Sequence, residues 1–305
     1  LNISENKNDS VSLFFINWWL GIALSSDCQF EKAVFNLEKA LKFNIFTNHL
    51  TLISVVKSVI SHLCYFNWGK IDLAYQMSGE AVQVAEEVND IHSLAMAYTA
   101  HGVCSYGKGY FEQAIEYLLK ALDFSEKIDY FSYVSFSNLF LGKTYFEVGN
   151  FLKAGEHYDR GASALKRVNI MPTCMNLNKI GSIRSKVMND EWNFDFEHLL
   201  TLTHGNRAKV FEGWIQRYIG EILLNCDDQC FLEAETCIQN AIEADNRNGM
   251  IWHLGGDHAL HAELYKRKGD QIKARENLQK AIEIIQECGA DGWVEKYQKE
   301  LAAVS

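Results

Sequence analysis

The sequence predicts an all-α fold, a solenoid of stacked helix pairs, and three observations predict it. Small residues recur every 40 positions, at Ala81, Ala121, Gly161, Ala241 and Ala281, with only Thr201 breaking the run and Ala40 one residue off it. Two further lattices keep that spacing, one through Gly69, Gly109, Gly149 and Gly269, the other through Ala33, Ala74, Ala114, Ala154, Ala234 and Ala274. Registers that agree on one period mark tandem structural repeats. The third observation is the single proline, Pro172, in 305 residues. Proline is barred from helix interiors, and a turn-rich β fold of this length would use more of it.

The elements follow from the lattice. GYFEQAIEYLLKAL from Gly109, GNFLKAGEHYDRGA from Gly149 and GDQIKARENLQKAI from Gly269 share one pattern. After the glycine come an alanine, an apolar or aromatic residue and a second small residue, in steps of four and three, which is one face of a helix. The segment before the glycine has helical spacing as well, as in Leu141, Gly142 and Tyr145 before Gly149. Glycine permits the tight turn, and alanine lets the two helices approach closely. Helix pairs are therefore expected at 10–26/30–45, 47–66/70–89, 91–107/111–128, 131–147/151–168, 171–188/190–203, 206–225/229–245 and 249–267/271–288. That makes seven units over residues 11–288, after a polar tail at 1–10. The fifth, at about 171–203, is degenerate: it carries Asn189, Phe194 and Thr201 at the lattice positions and follows Pro172, so a kink or a distorted pair is expected there. The sixth has about two extra turn residues around Asp227–Gln229. At the end, 289–305 holds DGWVEKYQKELAAV, with Trp293, Tyr297 and Leu301 on one face, expected as a helix that caps the stack.

Composition narrows the function. With 29 basic and 39 acidic residues the net charge is −10, so the basic stripe that a nucleic-acid backbone needs is not expected. The eight scattered cysteines show no CxxC pair and no disulfide framework, which predicts reduced thiols and a cytoplasmic setting. Apolar runs such as Leu13–Leu24 are too short to span a bilayer, so no membrane partner is expected. The polar start LNISENKNDS is unlike a signal peptide, and its leucine in place of methionine suggests a segment of a longer chain.

Chemistry-bearing motifs are sparse. Gly102, Gly107 and Lys108 have nearly phosphate-loop spacing, but Gly109 stands where Ser or Thr belongs. His253, Asp257 and His261 step by four along one helical face and are zinc-compatible ligand types, the basis of a metal-dependent enzyme reading. The simpler reading makes His258 and His261 packing residues. Cys226, Cys230 and Cys237 near a turn read as buried thiols. Acidic pairs such as Glu86–Glu87 and Asp227–Asp228 read as solvated surface. No catalytic residue, metal site or cofactor is assigned, and no enzyme is expected.

The repeat resembles the tetratricopeptide repeat (TPR), whose signature is Trp-x2-Leu-Gly-x2-Tyr followed by Gly, Ala, an aromatic residue and Ala. The best copies are Asn138, Leu141, Gly142, Tyr145, Gly149, Ala154, Tyr158 and Gly161, and the unit with Gly109, Ala114, Leu118 and Ala121. The period of 40 exceeds the usual 34 and the terminal proline is missing, as in long-repeat members such as kinesin light chain. Gly249–Ala302 also resembles the C-terminal repeats of large bacterial signalling ATPases and nucleotide cyclases. The resemblance implies a right-handed TPR superhelix whose first helices line a concave groove. It places Phe15, Trp18, Ile22, Val56, Val59, Leu63, Phe66, Met96, Thr99, Val103 and Tyr106 in that groove. Phe136, Leu139, Lys143, Phe146, Lys179, Ile183, Trp214, Arg217 and Glu221 continue it. Of these, Trp18, Phe66, Tyr106, Phe136, Lys143, Phe146, Lys179, Trp214 and Arg217 are the expected partner-binding set. Chaperone-binding members clamp a terminal carboxylate with Lys and Asn, but the matching positions here hold Thr99, Val103 and Leu139, with only Lys143 and Lys179 suitable, which disfavours chaperone-tail binding. The expected role is a non-catalytic interaction scaffold in signal transduction, binding a protein or peptide. Another part of the parent chain or a second copy is an alternative occupant, and a ligand sensor is the runner-up.

Overall fold

The computed structural model describes residues 10–46, 48–191, 195–206, 208–226 and 230–304. The tail before Ser10, Phe194 and the turn residues 227–229 lie outside the described residues. Among the described residues there are 15 α-helices and no strand. They run in pairs: α1 (Ser10–Ser26) with α2 (Phe30–Phe46), α3 (Leu50–Val59, continued by a π-helical turn Ile60–Tyr65) with α4 (Ile71–Val88), and α5 (Ile91–Lys108) with α6 (Phe111–Lys127). Next come α7 (Phe131–Glu147) with α8 (Phe151–Val168) and α9 (Pro172–Met188) with the short α10 (Phe196–Thr201). The last are α11 (Glu212–Cys226) with α12 (Phe231–Arg247), α13 (Ile251–Arg267) with α14 (Gln271–Glu287), and α15 (Asp291–Ala302). Apart from the short α10, each helix packs on its neighbour in sequence, and α3, α5 and α7 also touch one another in turn. This is the all-α repeat architecture of the sequence reading.

The small-residue lattices explain the packing. Ala74, Ala81, Ala114, Ala121, Ala154, Ala234, Ala241, Ala274 and Ala281 on the second helices are all fully buried. Two glycines make room for Tyr158: a side-chain carbon on Gly142 would lie 2.9 Å from its ring and one on Gly181 2.6 Å. Gly69, Gly109, Gly149 and Gly269 turn the chain at φ 81°, 83°, 78° and 79°, a region open mainly to glycine. A further 40-residue register is invisible in the small-residue pattern. Asn89, Asp129 and Asn169 sit at φ 54°, 51° and 53°, with Gly249 and Gly289 continuing the series at 66° and 78°. Asn and Asp tolerate this left-handed conformation better than other non-glycine residues, so they end second helices where glycine ends first ones.

Pro172 produces no kink. It stands at the first turn of α9, where a missing N–H is tolerated. The distortion of the fifth pair falls instead on its second helix, which has six residues, so α9 packs directly against α11.

The stack closes on itself. The Cys288 carbonyl accepts the Ile71 N–H (3.1 Å). The Trp252 indole donates to Gly107 O (3.1 Å), and the Trp293 indole to Tyr106 O (2.7 Å). Lys108 Nζ donates to Gly289 O at 2.6 Å and pairs with Asp72 at 2.9 Å and Asp291 at 2.5 Å. Burial opposes the Lys108 charge, but its bonds to Asp291 and Asp72 hold its pKa above the ordinary lysine value. Between the two ends the backbones touch, since a side-chain carbon on Gly292 would fall 2.8 Å from the carbonyl oxygens of both Lys108 and Gly109. The last three helices thus return to the second and third pairs, and the solenoid is a ring.

Candidate functional site

Inside the ring lies a chamber of about 630 Å³. Its walls come from the inner ends of α5, α7, α9, α11 and α13 together with α15: Tyr106, Lys143, Phe146, Glu147, Arg184, Arg217, Tyr218, Glu221, Trp252, Glu263, Trp293, Lys296, Tyr297 and Glu300 among others. The first helices reach it because they form the inner layer. Nearly every residue of α5 from Ser93 to Lys108 is buried.

Aromatic rings build the wall. Tyr106 meets Phe140, Trp252 and Trp293 edge-on at 5.7, 5.7 and 5.5 Å. Trp293 also meets Phe111 at 5.2 Å, and Phe146 meets Phe151 at 5.0 Å. Charges are paired among them. Arg184 grips Glu221 through two bonds of 2.7 and 2.9 Å while its guanidinium lies 3.3 Å from the Phe146 ring centre. Lys296 holds Glu147 at 2.5 Å. Burial works against the Glu147 carboxylate, but Lys296 and Arg184 bring its pKa below the ordinary value.

Behind the wall sits a buried polar network. Trp214 donates its indole N–H to the His253 ring, whose Nε2 lies 3.2 Å from Asn67 Oδ1 across the closure. Arg217 donates to His253 O (2.9 Å) and Asp257 Oδ1 (3.0 Å). Asp245, wholly buried against Gly213, has no hydrogen-bond partner for either oxygen other than what a shared proton with Asp257 can supply. Burial pushes the Asp245 carboxyl well up, aided by the Asp257 charge, and burial lifts Asp257 to about 6 against the pull of Arg217. Raised carboxyl pKa values stabilise the fold fully below about pH 4, and that contribution is lost as pH rises through about 6 and beyond. Asp245→Asn keeps the shape and removes the titration. Its stability gain over wild type, from urea unfolding, is expected to grow by about 1–2 kcal/mol between pH 6.5 and 8.5. An equal gain at both pH values would show that Asp245 is already ionised at the lower one.

The nine residues expected to bind a partner divide into three groups. Tyr106, Lys143, Phe146 and Arg217 line the chamber. Phe66 and Trp214 are buried behind it, Phe66 against Phe140 and Trp252. Trp18, Phe136 and Lys179 stand elsewhere and are half-buried; Trp18 stacks on Phe14, and Phe136 lies against His62 and Phe140. Residues outside the expected partner-binding set complete the walls: Arg184, Trp252, Trp293, Lys296 and Tyr297. Trp293 and Tyr297 share a face with Leu301, as expected, but only Leu301 covers the last pair, beside Ala262, Leu278 and Val304. The two aromatic residues face inward because ring closure brings α15 against α5, a contact between segments 187 residues apart.

His253 and Asp257 belong to the Arg217 network, whereas His261 stacks on Tyr265 at 4.6 Å. Among the described residues no group of three or more His, Cys, Asp or Glu is arranged to hold a metal ion, and no helix is long and apolar enough to cross a membrane.

The tetratricopeptide repeat family model matches residues 95–128 and 258–288. None of the curated proteins matches the sequence. Among solved structures, the apo form of RapI superposes with a TM-score of 0.63 at 12% identity, over 90% of this chain and 97% of that one. A Rap protein complexed with Competence and Sporulation Factor gives 0.55 at 12% identity, over 96% of this chain and 99% of that one. At that identity the likeness concerns the fold. The chain is thus similar to the Rap structures in its all-α repeat solenoid, and two of its helix pairs are similar to the tetratricopeptide repeat.

Proposed function

We propose that this chain is a non-catalytic regulatory module of cytoplasmic signal transduction that takes a short peptide, or one end of a protein partner, into the chamber. The observation that carries this reading is the chamber itself. Its volume of about 630 Å³ falls within the range of ligand sites, and its aromatic walls with a few fixed charges are what a ligand pocket needs. A similarly folded Rap protein is known in complex with a factor, which supports the same class of role. The likeness of Gly249–Ala302 to repeats of signalling ATPases supports a larger parent chain. One feature favours a sensor within this reading. Tyr106, Trp252 and Trp293 both line the chamber and close the ring, so occupancy and closure share residues.

Affinity selection from a soluble hexapeptide library, read by mass spectrometry, tests the proposal against Ala259→Trp, which fills the chamber from α13. Peptides retained by wild type should bind the variant at least tenfold more weakly. Selection of nothing, or of peptides that bind both proteins equally, counts against the chamber as the site.

A further inference from the structure

Among the described residues Lys143 has no hydrogen-bond or ion-pair partner. It lines the chamber and is only 2% exposed, and its Nζ has no hydrogen-bond acceptor within reach. Around it stand four rings: Trp214 at 3.7 Å, Tyr106 at 4.9 Å, Phe140 at 5.0 Å and Trp252 at 5.6 Å from Nζ to ring centre. Ring faces attract a cation, but they do not replace the strong acceptors that three N–H donors require. Burial, reinforced by the nearby Arg217, pushes the Lys143 amine well below the ordinary lysine value. An unsatisfied buried amine is a standing penalty that a bound acceptor would remove.

The charge balance at the inner end of the chamber identifies what is missing. Arg184 is matched by Glu221, Lys296 by Glu147 and Arg217 by Asp257. Burial, reinforced by the Asp257 charge, raises the Asp245 carboxyl well above its ordinary value and so disfavours a further negative charge there. Glu300 stands exposed at the rim beside Lys296. Lys143 is the basic group left without an acidic partner among these residues. One carboxylate beside it would supply the missing acceptor and favour its charged form. A phosphate dianion would require more donors, and the two guanidinium groups are already engaged by Glu221 and Asp257.

We propose that Lys143 anchors one carboxylate of the bound ligand, with an aromatic or aliphatic group of that ligand packed beside it against Phe146, Trp293 and Tyr297. This rests on the chamber being the binding site, and it adds the chemistry that the site selects.

The probe pair is N-acetyl-L-phenylalanine and N-acetyl-L-phenylalaninamide, which differ in the carboxylate alone, titrated calorimetrically into the full chain. Wild type should bind the acid at least tenfold more tightly than the amide. Lys143→Met, which keeps length and removes charge, should bind the two alike. Its melting temperature should equal or exceed that of wild type, because the substitution removes a buried unpartnered amine. A merely structural lysine would give the opposite result, a lowered melting temperature with the acid preference retained. Lack of an acid preference in wild type, including failure to bind either probe, overturns the proposal, as does its persistence in Lys143→Met. Library peptides that bind wild type and Lys143→Met equally, yet are excluded by Ala259→Trp, would overturn the Lys143 role and leave the chamber as the site.

Discussion

Gly292→Val is expected to spring the ring open. Gly292 is helical, so valine strains no backbone, but its side chain would be driven into the carbonyl oxygens of Lys108 and Gly109, which are backbone atoms and cannot rotate away. Overpacking of this kind costs about 1–3 kcal/mol, and relief requires the last helices to move off the third pair. Small-angle X-ray scattering should therefore show a larger radius of gyration. Trp293→Ala attacks the same contact from inside. It removes a buried indole that touches Tyr106, Phe111, Trp252 and Tyr297 and donates to Tyr106 O, at a cost of about 3–5 kcal/mol. Gly149→Ala is the control. Its φ of 78° strains alanine, but among the described residues nothing lies within 4 Å, so about 1 kcal/mol is lost with no change of shape. Unchanged scattering from Gly292→Val would mean that the ends are not in contact in solution.

Acid should unfold the protein between about pH 5.5 and 4.5, well above the range in which carboxylates alone would act. Burial holds His62, His101, His157 and His261 at about 4 and His253 well below its ordinary value. Each ring is neutral in the fold but takes up a proton near pH 6.5 once released. The sign follows directly: their contribution is complete above pH 6.5 and is lost as pH falls toward 4. At pH 5 each ring forfeits about 2 kcal/mol, and four of them together rival the whole stability of a typical domain. Loss of helical circular dichroism on acid titration measures this. His62→Phe should shift the midpoint down, since that ring already lies among Tyr133 and Phe136 and its Nδ1 meets only the Ser58 carbonyl. A helical signal that persists to pH 3.5 would show that these rings reach solvent.

The helix pairs were legible because they rest on local rules: the alanine faces, the turn glycines and one period. The left-handed Asn89, Asp129 and Asn169 obey that period too, but a mixed Asn/Asp/Gly register is hard to see beside a uniform one. Whether Pro172 marked a kink or a distorted pair stayed open, because sequence alone does not say on which side of a helix boundary a proline falls. The chamber was half legible. Tyr106, Lys143, Phe146 and Arg217 come from the groove positions that the tetratricopeptide resemblance implies, which each unit carries by itself. Trp252, Trp293 and Tyr297 come from closure, and no spacing within a unit encodes a meeting of the third pair with the last helices.

Closure also alters how the molecule comes apart. In an open array each unit leans only on its neighbours, so terminal units fray and melting can proceed piecemeal. Here the bonds from Trp252 to Gly107 and from Trp293 to Tyr106 tie segments 145 and 187 residues apart. The last helices thereby share the fate of the middle, and a linear polymer of modules becomes a more cooperative body whose assembly waits on its two distant parts finding each other.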